Sequence, residues 1–322
     1  MLMPVSSAPA FRSMNAAYHS VFSPQRLSVG LVVPIQSYPD QPVPSMEDHL
    51  ERVQLAEELG FAAVWLRDVP FSVPAFGDAG QLFDPFVYLG ALASVTRTIA
   101  LGVASVVLPL RHPLHVAKAA ASADQLSNGR LLLGIASGDR PEEFPAMSRS
   151  FESRGEQFRE SYEYLRAVAQ TRPRHTNAYG NLDGSLDLLP KPVAGQLPLL
   201  VTGSSQQNPN WIARNGDGWM TYPRPSAHQA RLIDDYRDEI RAAGLVDKPV
   251  MEPLYIDLAR DAEESATPIH LGYRMGVNRL RDYLETRRSI GVNHVALNLR
   301  FNRADTEPTL RRVADHVLSD FC

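Results

Sequence analysis

The chain is almost free of cysteine. Its single cysteine, Cys322, is the last residue. No disulfide bond can form within the chain, which excludes the disulfide-stapled secreted folds. No apolar run reaches the length of a membrane span, and residues 1–23 lack the continuous apolar stretch of a signal peptide. We therefore expect a cytoplasmic protein that does not insert into a membrane.

Neither sign of charge is in large excess. The net charge of −4 gives no basic face for a phosphate backbone, so we expect no nucleic-acid partner. Hydrophobic residues make up 44% of the 322 residues, enough for a large core. No G-x-G-x-x-G sequence follows a predicted strand, and the nucleotide fingerprint of open doubly wound sheets is therefore missing.

Short β-branched runs alternate with longer helical patterns along the chain. The predicted strands are 28–34, 62–66, 99–108, 130–135, 198–202, 217–221, 250–258 and 294–300. Helical periodicity or capping signals predict helices between and after them, and a segment rich in Pro and Gly, 171–197, is predicted to be irregular. Eight strand–helix units predict one α/β domain, a (β/α)₈ TIM barrel with loop insertions, over residues 23–322. Residues 1–22 are predicted to form an N-terminal arm that is partly flexible.

The loops that follow the strands are where such barrels build their sites. After strand three, His112 and His115 flank Pro113, but no further ligand pattern accompanies them. Structural or supporting histidines fit this spacing better than metal ligands, so we expect no metal site.

Small and hydroxyl-bearing residues follow strands four and five. Ser137 and Gly138 allow a ring or phosphate close to the backbone, or simply form a tight turn. The stretch from Gly203 to Gln206 precedes a short helix, where free N–H groups suit an anion; a capped helix with a flexible loop is the alternative. After strand seven, Arg274 is either an anion ligand or a solvated or ion-paired arginine.

Four segments carry a resemblance to a known family. They are 103–130 (VASVVLPLRHPLHVAKAAASADQLSNGR), 133–146 (LGIASGDRPEEFPA), 199–225 (LLVTGSSQQNPNWIARNGDGWMTYPRP) and 291–299 (GVNHVALNL). The chain is similar to the bacterial luciferase-like, flavin-dependent monooxygenases from about residue 21 to residue 321. The long match over 103–130 is the most specific of the four.

The resemblance implies a position for the cofactor FMN. Relatives hold the flavin ring against the end of strand three, often across a non-prolyl cis peptide, which matches Ala104–Ser105 here. The phosphate lies between two loops, matched by Ser137 and Gly138 and by Gly203, Ser204, Ser205 and Gln206. Several relatives have an arginine at the Ser137 position. Its absence implies either weak FMN binding or compensation by Arg140 or Arg274.

The chain departs from its relatives after strand two. Neither the histidine of light-emitting luciferases nor the cysteine of sulfonate monooxygenases is present there. Asp68 is the nearest candidate for proton transfer, and an ion pair with Arg67 or Arg111 that orders the loop is the alternative. We predict Asp68 and Arg274 as catalytic residues and Arg111 and Tyr222 as substrate contacts.

The resemblance also implies a reaction and partners. We expect a two-component monooxygenase that uses reduced FMN and oxygen on a small organic substrate, with an NAD(P)H-dependent flavin reductase as partner. A deazaflavin-dependent hydride-transfer enzyme and a non-catalytic flavin-binding protein are the alternatives. Relatives commonly form dimers through the helices after strands two and three, where the alanine-rich stretch 117–123 permits close helix approach; we therefore expect a homodimer.

Overall fold

The computed structural model describes residues 11–76 and 79–321, so Cys322 and the first ten residues of the predicted arm lie outside the described residues. In chain order the strands are β1 Ser28–Val32, β2 Ala63–Leu66, β3 Ala100–Val107, β4 Leu131–Ala136, β5 Arg174–Asn177, β6 Gly180–Asp183, β7 Leu199–Thr202, β8 Gly218–Met220, β9 Val250–Leu258, β10 Thr267–Ile269, β11 Gly272–Met275 and β12 His294–Asn298.

The helices follow the same alternation. They are α1 Ala16–Val21, α2 His49–Glu58, α3 Pro85–Val95, α4 Pro113–Leu126, α5 Glu143–Ala146, α6 Arg154–Val168, α7 Pro209–Asn215, α8 Ser226–Ala242, α9 Val277–Ser289 and α10 Thr306–His316. Asp84 caps α3 through hydrogen bonds from the backbone N–H groups of Phe86 and Val87, as the Asp-Pro pair at this helix start predicts.

Eight strands pair in parallel and close on themselves. The order is β12-β1-β2-β3-β4-β7-β8-β9, and β9 returns to β12. Ser28 lies opposite His294 at the start of the β1–β12 pairing. The predicted (β/α)₈ barrel is confirmed.

Two hairpins are additions to the predicted pattern. Strands β5 and β6 pair antiparallel inside the segment that was expected to be irregular. Strands β10 and β11 form a second hairpin in the long loop after β9, and β11 pairs in parallel with the end of β9. Their strands of three or four residues are too short for periodicity to reveal them.

Residues 11–22 pack under the barrel, although the sequence predicts an arm. Asn15 caps α1, and its side-chain amide donates to the carbonyl of Leu131 (2.7 Å) and to Asp124 (2.9 Å). Tyr18 is 1% exposed and joins the cluster of side chains inside the barrel. Helix α1 therefore closes the amino-terminal end of the barrel.

A large indole fills the barrel interior above α1. Trp65 on β2 is fully buried, and Gly102 on the neighbouring strand makes room for it. A Cβ atom at Gly102 would lie 2.2 Å from the Trp65 ring, so any side chain there would displace the indole. The pairing of the largest side chain with glycine fixes how this layer packs.

A buried histidine completes the same layer. Trp65 Nε1 donates to His294 Nε2 (2.8 Å). The other ring nitrogen, Nδ1, therefore carries the proton and donates to Ser28 Oγ (2.7 Å), which donates to the carbonyl of Val21 (2.7 Å). Burial lowers the pKa of His294 to about 3, so the imidazole is neutral at ordinary pH.

The alanine-rich stretch of α4 packs inside the chain itself. Ala117, Ala120, Ala121 and Ala123 are all buried within the fold. They are not available for close approach by a second copy, and the homodimer stays a prediction. Within residues 11–76 and 79–321, no helix combines the length and the apolar character needed to cross a membrane.

His294 generates a prediction about acid stability. Between its ordinary pKa of about 6.5 and its folded pKa of about 3, only the unfolded chain binds the proton. The free energy of unfolding of the wild type therefore falls as pH falls through this window, with a contribution of up to about 1.4 kcal/mol per pH unit. We expect His294→Gln to be less stable at pH 7 and to lose this contribution.

Chemical denaturation of both proteins from pH 7 to pH 4 measures the effect. The stability gap between wild type and His294→Gln should narrow as pH falls. The exposed histidine of α8 supplies the matched control, His228→Gln. A gap that stays constant across the series contradicts the neutral buried imidazole.

Candidate functional site

A cavity of about 390 Å³ lies at the carboxyl ends of five neighbouring barrel strands, β2, β3, β4, β7 and β8. Eleven of the residues predicted from the sequence line it: Asp68, Ala104, Ser105, Ser137, Gly138, Arg140, Gly203, Ser204, Ser205, Gln206 and Tyr222. The structure also adds residues that the prediction missed: Arg67, Val69, Val107, Ala136, Asp139, Glu143, Phe151, Arg154 and Thr202. A larger hollow, about 880 Å³, lies between the loop after β1 and α10, and none of the predicted residues lines it.

One wall of the cavity is built from small side chains. The Ala104–Ser105 peptide bond is cis, as the resemblance implies, and the pairing of β3 with β4 shifts register between Val103 and Val106. The Ser105 hydroxyl hydrogen-bonds the Thr202 hydroxyl, which lies 3.1 Å from the sulfur of Met220. Small side chains leave this wall low enough for a flat ring to approach the backbone.

The loop after β7 is held in a tight conformation. Gly203, Ser205 and Gln206 all have left-handed backbone angles, with φ of 55°, 45° and 59°. Ser205 Oγ donates to the carbonyl of Thr202 (2.8 Å), and Trp219 Nε1 donates to the carbonyl of Gly203 (2.9 Å). These bonds fix the loop against the barrel.

The helix after this loop has its first turn capped by a side chain of its own. Asn208 caps α7 through a hydrogen bond from the backbone N–H of Trp211 (2.8 Å), which is the capped-helix alternative. Instead, the loop faces the start of α6. A Cβ atom at Gly155 would lie 2.7 Å from Gln206 Cβ, so the two segments touch.

Arg154 brings a positive charge to this end of the cavity. It is the first residue of α6, its guanidinium stacks 3.7 Å from the Phe151 ring centre, and its Nη1 donates to the Phe151 carbonyl (2.9 Å). Arg154 lines the same cavity as Ser137 and Ser204. These residues are far apart in the chain, so the sequence alone does not show that they lie near one another.

Asp68 is held by an ion pair, as one sequence alternative proposed. Arg111 donates to both oxygens of Asp68, from Nε (3.0 Å) and from Nη2 (2.7 Å), and the Val107 N–H also donates (3.2 Å). The Asp68 side chain is 1% exposed. Both its oxygens are occupied, and its negative charge is compensated.

Arg111 bridges two carboxylates and does not line the cavity. Its Nη2 also donates to Asp84 (2.8 Å). Burial alone would raise the pKa of Asp84, but the hydrogen bond and charge of Arg111 outweigh burial and lower it. The expectation that Arg111 contacts the substrate finds no support in this geometry, because the guanidinium is committed to joining two loops.

Arg140 and Glu143 form a second charged pair, on the loop after β4. The Arg140 guanidinium lies over the Phe76 ring (4.8 Å), and its Nη1 is 3.7 Å from Glu143 Oε1. Burial raises the pKa of Glu143, and the charge of Arg140 opposes this rise. Tyr222, predicted to contact substrate, is 46% exposed among the lining residues.

Arg274 lies outside the cavity. Its guanidinium pairs with Asp257 (2.8 Å) and with Glu264 (2.8 Å), so the structure does not bring this predicted catalytic residue to the site. The ion-paired alternative describes it correctly.

The barrel mouth beyond β9, β12 and β1 is covered by aromatic rings. We call Tyr38, Tyr255, His270 and Phe301 the aromatic cap. The rings of Tyr255 and Phe301 lie 5.3 Å apart, and His270 packs at about 6 Å from both. The Arg300 guanidinium lies 5.0 Å from the Tyr38 ring.

The two histidines after β3 have structural contacts. His112 Nδ1 accepts from the Leu114 N–H at the start of α4 (3.2 Å), and its Nε2 lies 3.2 Å from the Tyr179 carbonyl. His115 packs against the His112 ring. No group of three or more His, Cys, Asp or Glu side chains suited to a metal occurs among the residues that the structure describes.

Gly138 generates a prediction about the loop after β4. Its φ is 86°, and an added Cβ would lie 2.8 Å from Val107 Cγ1 and 3.0 Å from Phe144 Cζ. We expect Gly138→Ala to reduce the free energy of unfolding by about 1–3 kcal/mol, because strain and overlap add. Gly203→Ala is the matched control: its φ is 55°, but nothing lies within 4 Å. Thermal unfolding of the two variants compares them, and equal losses would contradict a steric role for Gly138.

Sequence comparison finds relatives over most of the chain. The family model described as luciferase-like monooxygenase matches residues 21–322. An uncharacterised protein of Mycobacterium tuberculosis is 31% identical over 240 residues, which cover 68% of this chain and 84% of that protein. The F420-dependent hydroxymycolic acid dehydrogenase of the same organism is 30% identical over 196 residues, covering 59% of this chain and 53% of the dehydrogenase.

Solved structures share the fold. A monooxygenase from Streptomyces bottropensis has a TM-score of 0.75 at 22% identity, covering 92% of this chain and 100% of that one. An F420-dependent secondary alcohol dehydrogenase has a TM-score of 0.75 at 18% identity, covering 91% and 98%. The oxygenating constituent of 3,6-diketocamphane monooxygenase from Pseudomonas putida, in complex with FMN, has a TM-score of 0.73 at 14% identity, covering 92% and 99%. Since the family model matches nearly the whole chain, the protein belongs to the luciferase-like monooxygenase family of oxidoreductases.

Proposed function

We propose that the chain is a flavin-dependent monooxygenase that holds reduced FMN in the cavity above β3 and β4. The observation that carries this proposal is the contrast between two parts of the cavity lining. One part, which we call the wall, consists of small side chains. The other, which we call the pole, is the end of the cavity that carries hydroxyl groups and a positive charge. Ala104, Ala136 and Gly138 belong to the wall. Ser204, Ser205 and Arg154 belong to the pole. A flat ring with a phosphate tail needs this combination of surfaces.

The residues at the pole fit a phosphate group. Gly203 leaves open space, since a Cβ there would meet no atom within 4 Å. Serine hydroxyls donate to phosphate oxygens, and a guanidinium adds charge-assisted hydrogen bonds. We assign to Arg154 the role that the missing arginine at Ser137 has in relatives, in preference to Arg140, which packs between Phe76 and Glu143.

The protein's own contribution is binding, orientation and the exclusion of water. Bound reduced FMN supplies the electrons with which oxygen is activated, and we propose that a separate NAD(P)H-dependent reductase provides it. The two charged pairs, Asp68–Arg111 and Arg140–Glu143, hold the loops after β2 and β4 around the cavity. Tyr222 at the exposed edge is our candidate for contact with a small organic substrate.

A deazaflavin coenzyme is the second candidate. The observation that favours it is the 30% identity to a dehydrogenase named for its dependence on F420. Both coenzymes offer a planar ring and a phosphate, so the same wall and pole accept either. Equilibrium titration with FMN and with F420 separates them. Tighter binding of F420, or no oxygen consumption above the free rate of reduced FMN with any substrate tried, overturns the monooxygenase proposal.

Arg154 supplies the matching mutational prediction. We expect Arg154→Met to weaken FMN binding by about 10- to 100-fold, because a charge-assisted hydrogen bond to phosphate contributes about 1.5–3 kcal/mol. Riboflavin, which has no phosphate, should bind both proteins equally. The control is Arg149→Met, an exposed arginine stacked on Tyr179 in the same segment. Equal weakening of FMN and riboflavin in a fluorescence titration contradicts a phosphate contact.

Turnover distinguishes an enzyme from a non-catalytic flavin-binding protein. An enzyme consumes oxygen in step with product formation when reduced FMN and substrate are supplied together. The non-catalytic alternative gains support if FMN binds tightly but oxygen consumption never couples to a product.

A further inference from the structure

Two carboxyl groups line the cavity in contrasting environments. Asp68 accepts three hydrogen bonds and is paired with Arg111 over both oxygens. Glu143 is 3% exposed, and its Oε1 accepts no hydrogen bond from the residues described. Its ion contact with Arg140 is long, at 3.7 Å. Two carboxyls in unlike surroundings are the usual arrangement when one stays ionised and the other exchanges a proton.

We propose that Glu143 is the proton-exchanging carboxyl of this cavity, the role that the sequence assigns to Asp68. The inference adds a residue to the proposed flavin site and rests on a ligand being held there. Glu143 lines the cavity at the first residue of α5. Its Oε1 has only the long ion contact with Arg140 and accepts no hydrogen bond from residues 11–76 and 79–321, so a polar atom of a ligand could become its hydrogen-bond partner.

Four groups face the Glu143 carboxyl. Arg140 approaches from the same loop, and the backbone N–H of Phe71, from the loop after β2, lies near enough to lower its pKa. The carboxylates of Asp68 and Asp139 add negative charge. Burial is the largest influence and raises the pKa of Glu143, the two carboxylates raise it further, and Arg140 and the Phe71 N–H act against them.

The proton transfer balances without any further reactant. The O–H bond of Glu143 breaks as its proton bonds to a lone pair on the ligand, and the bonding electrons stay on the carboxylate. Arg140 and the Phe71 N–H stabilise the carboxylate that remains. Hydronium from solvent that enters the open cavity reprotonates the carboxylate and leaves water, and the reverse sequence makes Glu143 a base. Asp68 is less accessible to a ligand because Arg111 and the Val107 N–H already occupy both of its oxygens.

Infrared difference spectra of the ligand-free protein test the proton itself. Burial also raises the pKa values of Asp124 and Glu252, so the spectra are compared as wild type minus Glu143→Gln. We expect this difference to contain a protonated-carboxyl band that titrates above the ordinary glutamate value of about 4.3. Glu142→Gln, the exposed neighbour, should keep the band. A wild-type-minus-Glu143→Gln difference without a protonated-carboxyl band, or with one that never extends above the ordinary glutamate range, overturns the proposal.

The pH dependence of FMN binding tests the coupling to a ligand. Negative charge on bound FMN favours the protonated carboxyl, so affinity should fall by up to tenfold per pH unit as pH rises through the pKa of Glu143. We expect this component to be absent in Glu143→Gln and present in Glu143→Asp and Glu142→Gln. An identical pH profile in Glu143→Gln and wild type overturns the role of Glu143. Loss of FMN binding in all four proteins overturns the proposed function instead, and the infrared band then decides on Glu143.

Discussion

The hydrogen bond between Trp65 and His294 lies in the layer that fills the lower half of the barrel, and the location of the cavity depends on that layer. The indole occupies the space that Gly102 leaves, and α1 closes the end below it. The interior of such a barrel is a packed core rather than a pore, and its sites lie at the carboxyl ends of the strands. Because this core is solid from its amino-terminal end upward, a ligand has room only where the strands end. Neutral imidazole is required for this packing, since a proton on both ring nitrogens would oppose the indole N–H.

Charged pairs then shape the opening. Arg111 joins the loop after β2 to the start of α3 through Asp68 and Asp84. Arg140 joins the loop after β4 to the Phe76 region of the loop after β2. A buried ion pair contributes little net stability compared with apolar packing, but removing one partner is costly. These pairs are therefore better understood as devices that fix loop positions than as sources of stability. The two pairs differ in geometry: Arg111 contacts both oxygens of Asp68, whereas Arg140 approaches Oε1 of Glu143 at 3.7 Å.

Local patterns predicted the fold and one side of the candidate site. The barrel strands are short, mostly apolar runs, and the carboxyl ends of parallel strands must meet, so the loops holding Ser137 and Gly203 were expected together. The cis peptide bond at Ala104–Ser105 was implied by the resemblance to the family and not by the residues themselves. Ion pairs between residues distant in sequence could not be predicted. Asp257, the partner of Arg274, is 17 residues away, and nothing in the sequence around Arg274 indicates it. Arg154 and Glu143 were missed for the same reason. Both line the cavity only because residues distant in sequence lie next to them in the folded barrel, and the sequence does not show those contacts.

The aromatic cap divides the mouth of the barrel into two unequal regions. Strands β9, β12 and β1 end under the tilted and edge-to-face rings of the aromatic cap, while β2, β3, β4, β7 and β8 end at an open cavity. Ring contacts and the Arg274 ion pairs tie the loops of the covered region to one another. Substitutions that alter what the barrel binds are therefore expected in the loops after β2, β3, β4, β7 and β8, which line the cavity. New specificity can arise in them by substitution or insertion while the covered region preserves barrel closure.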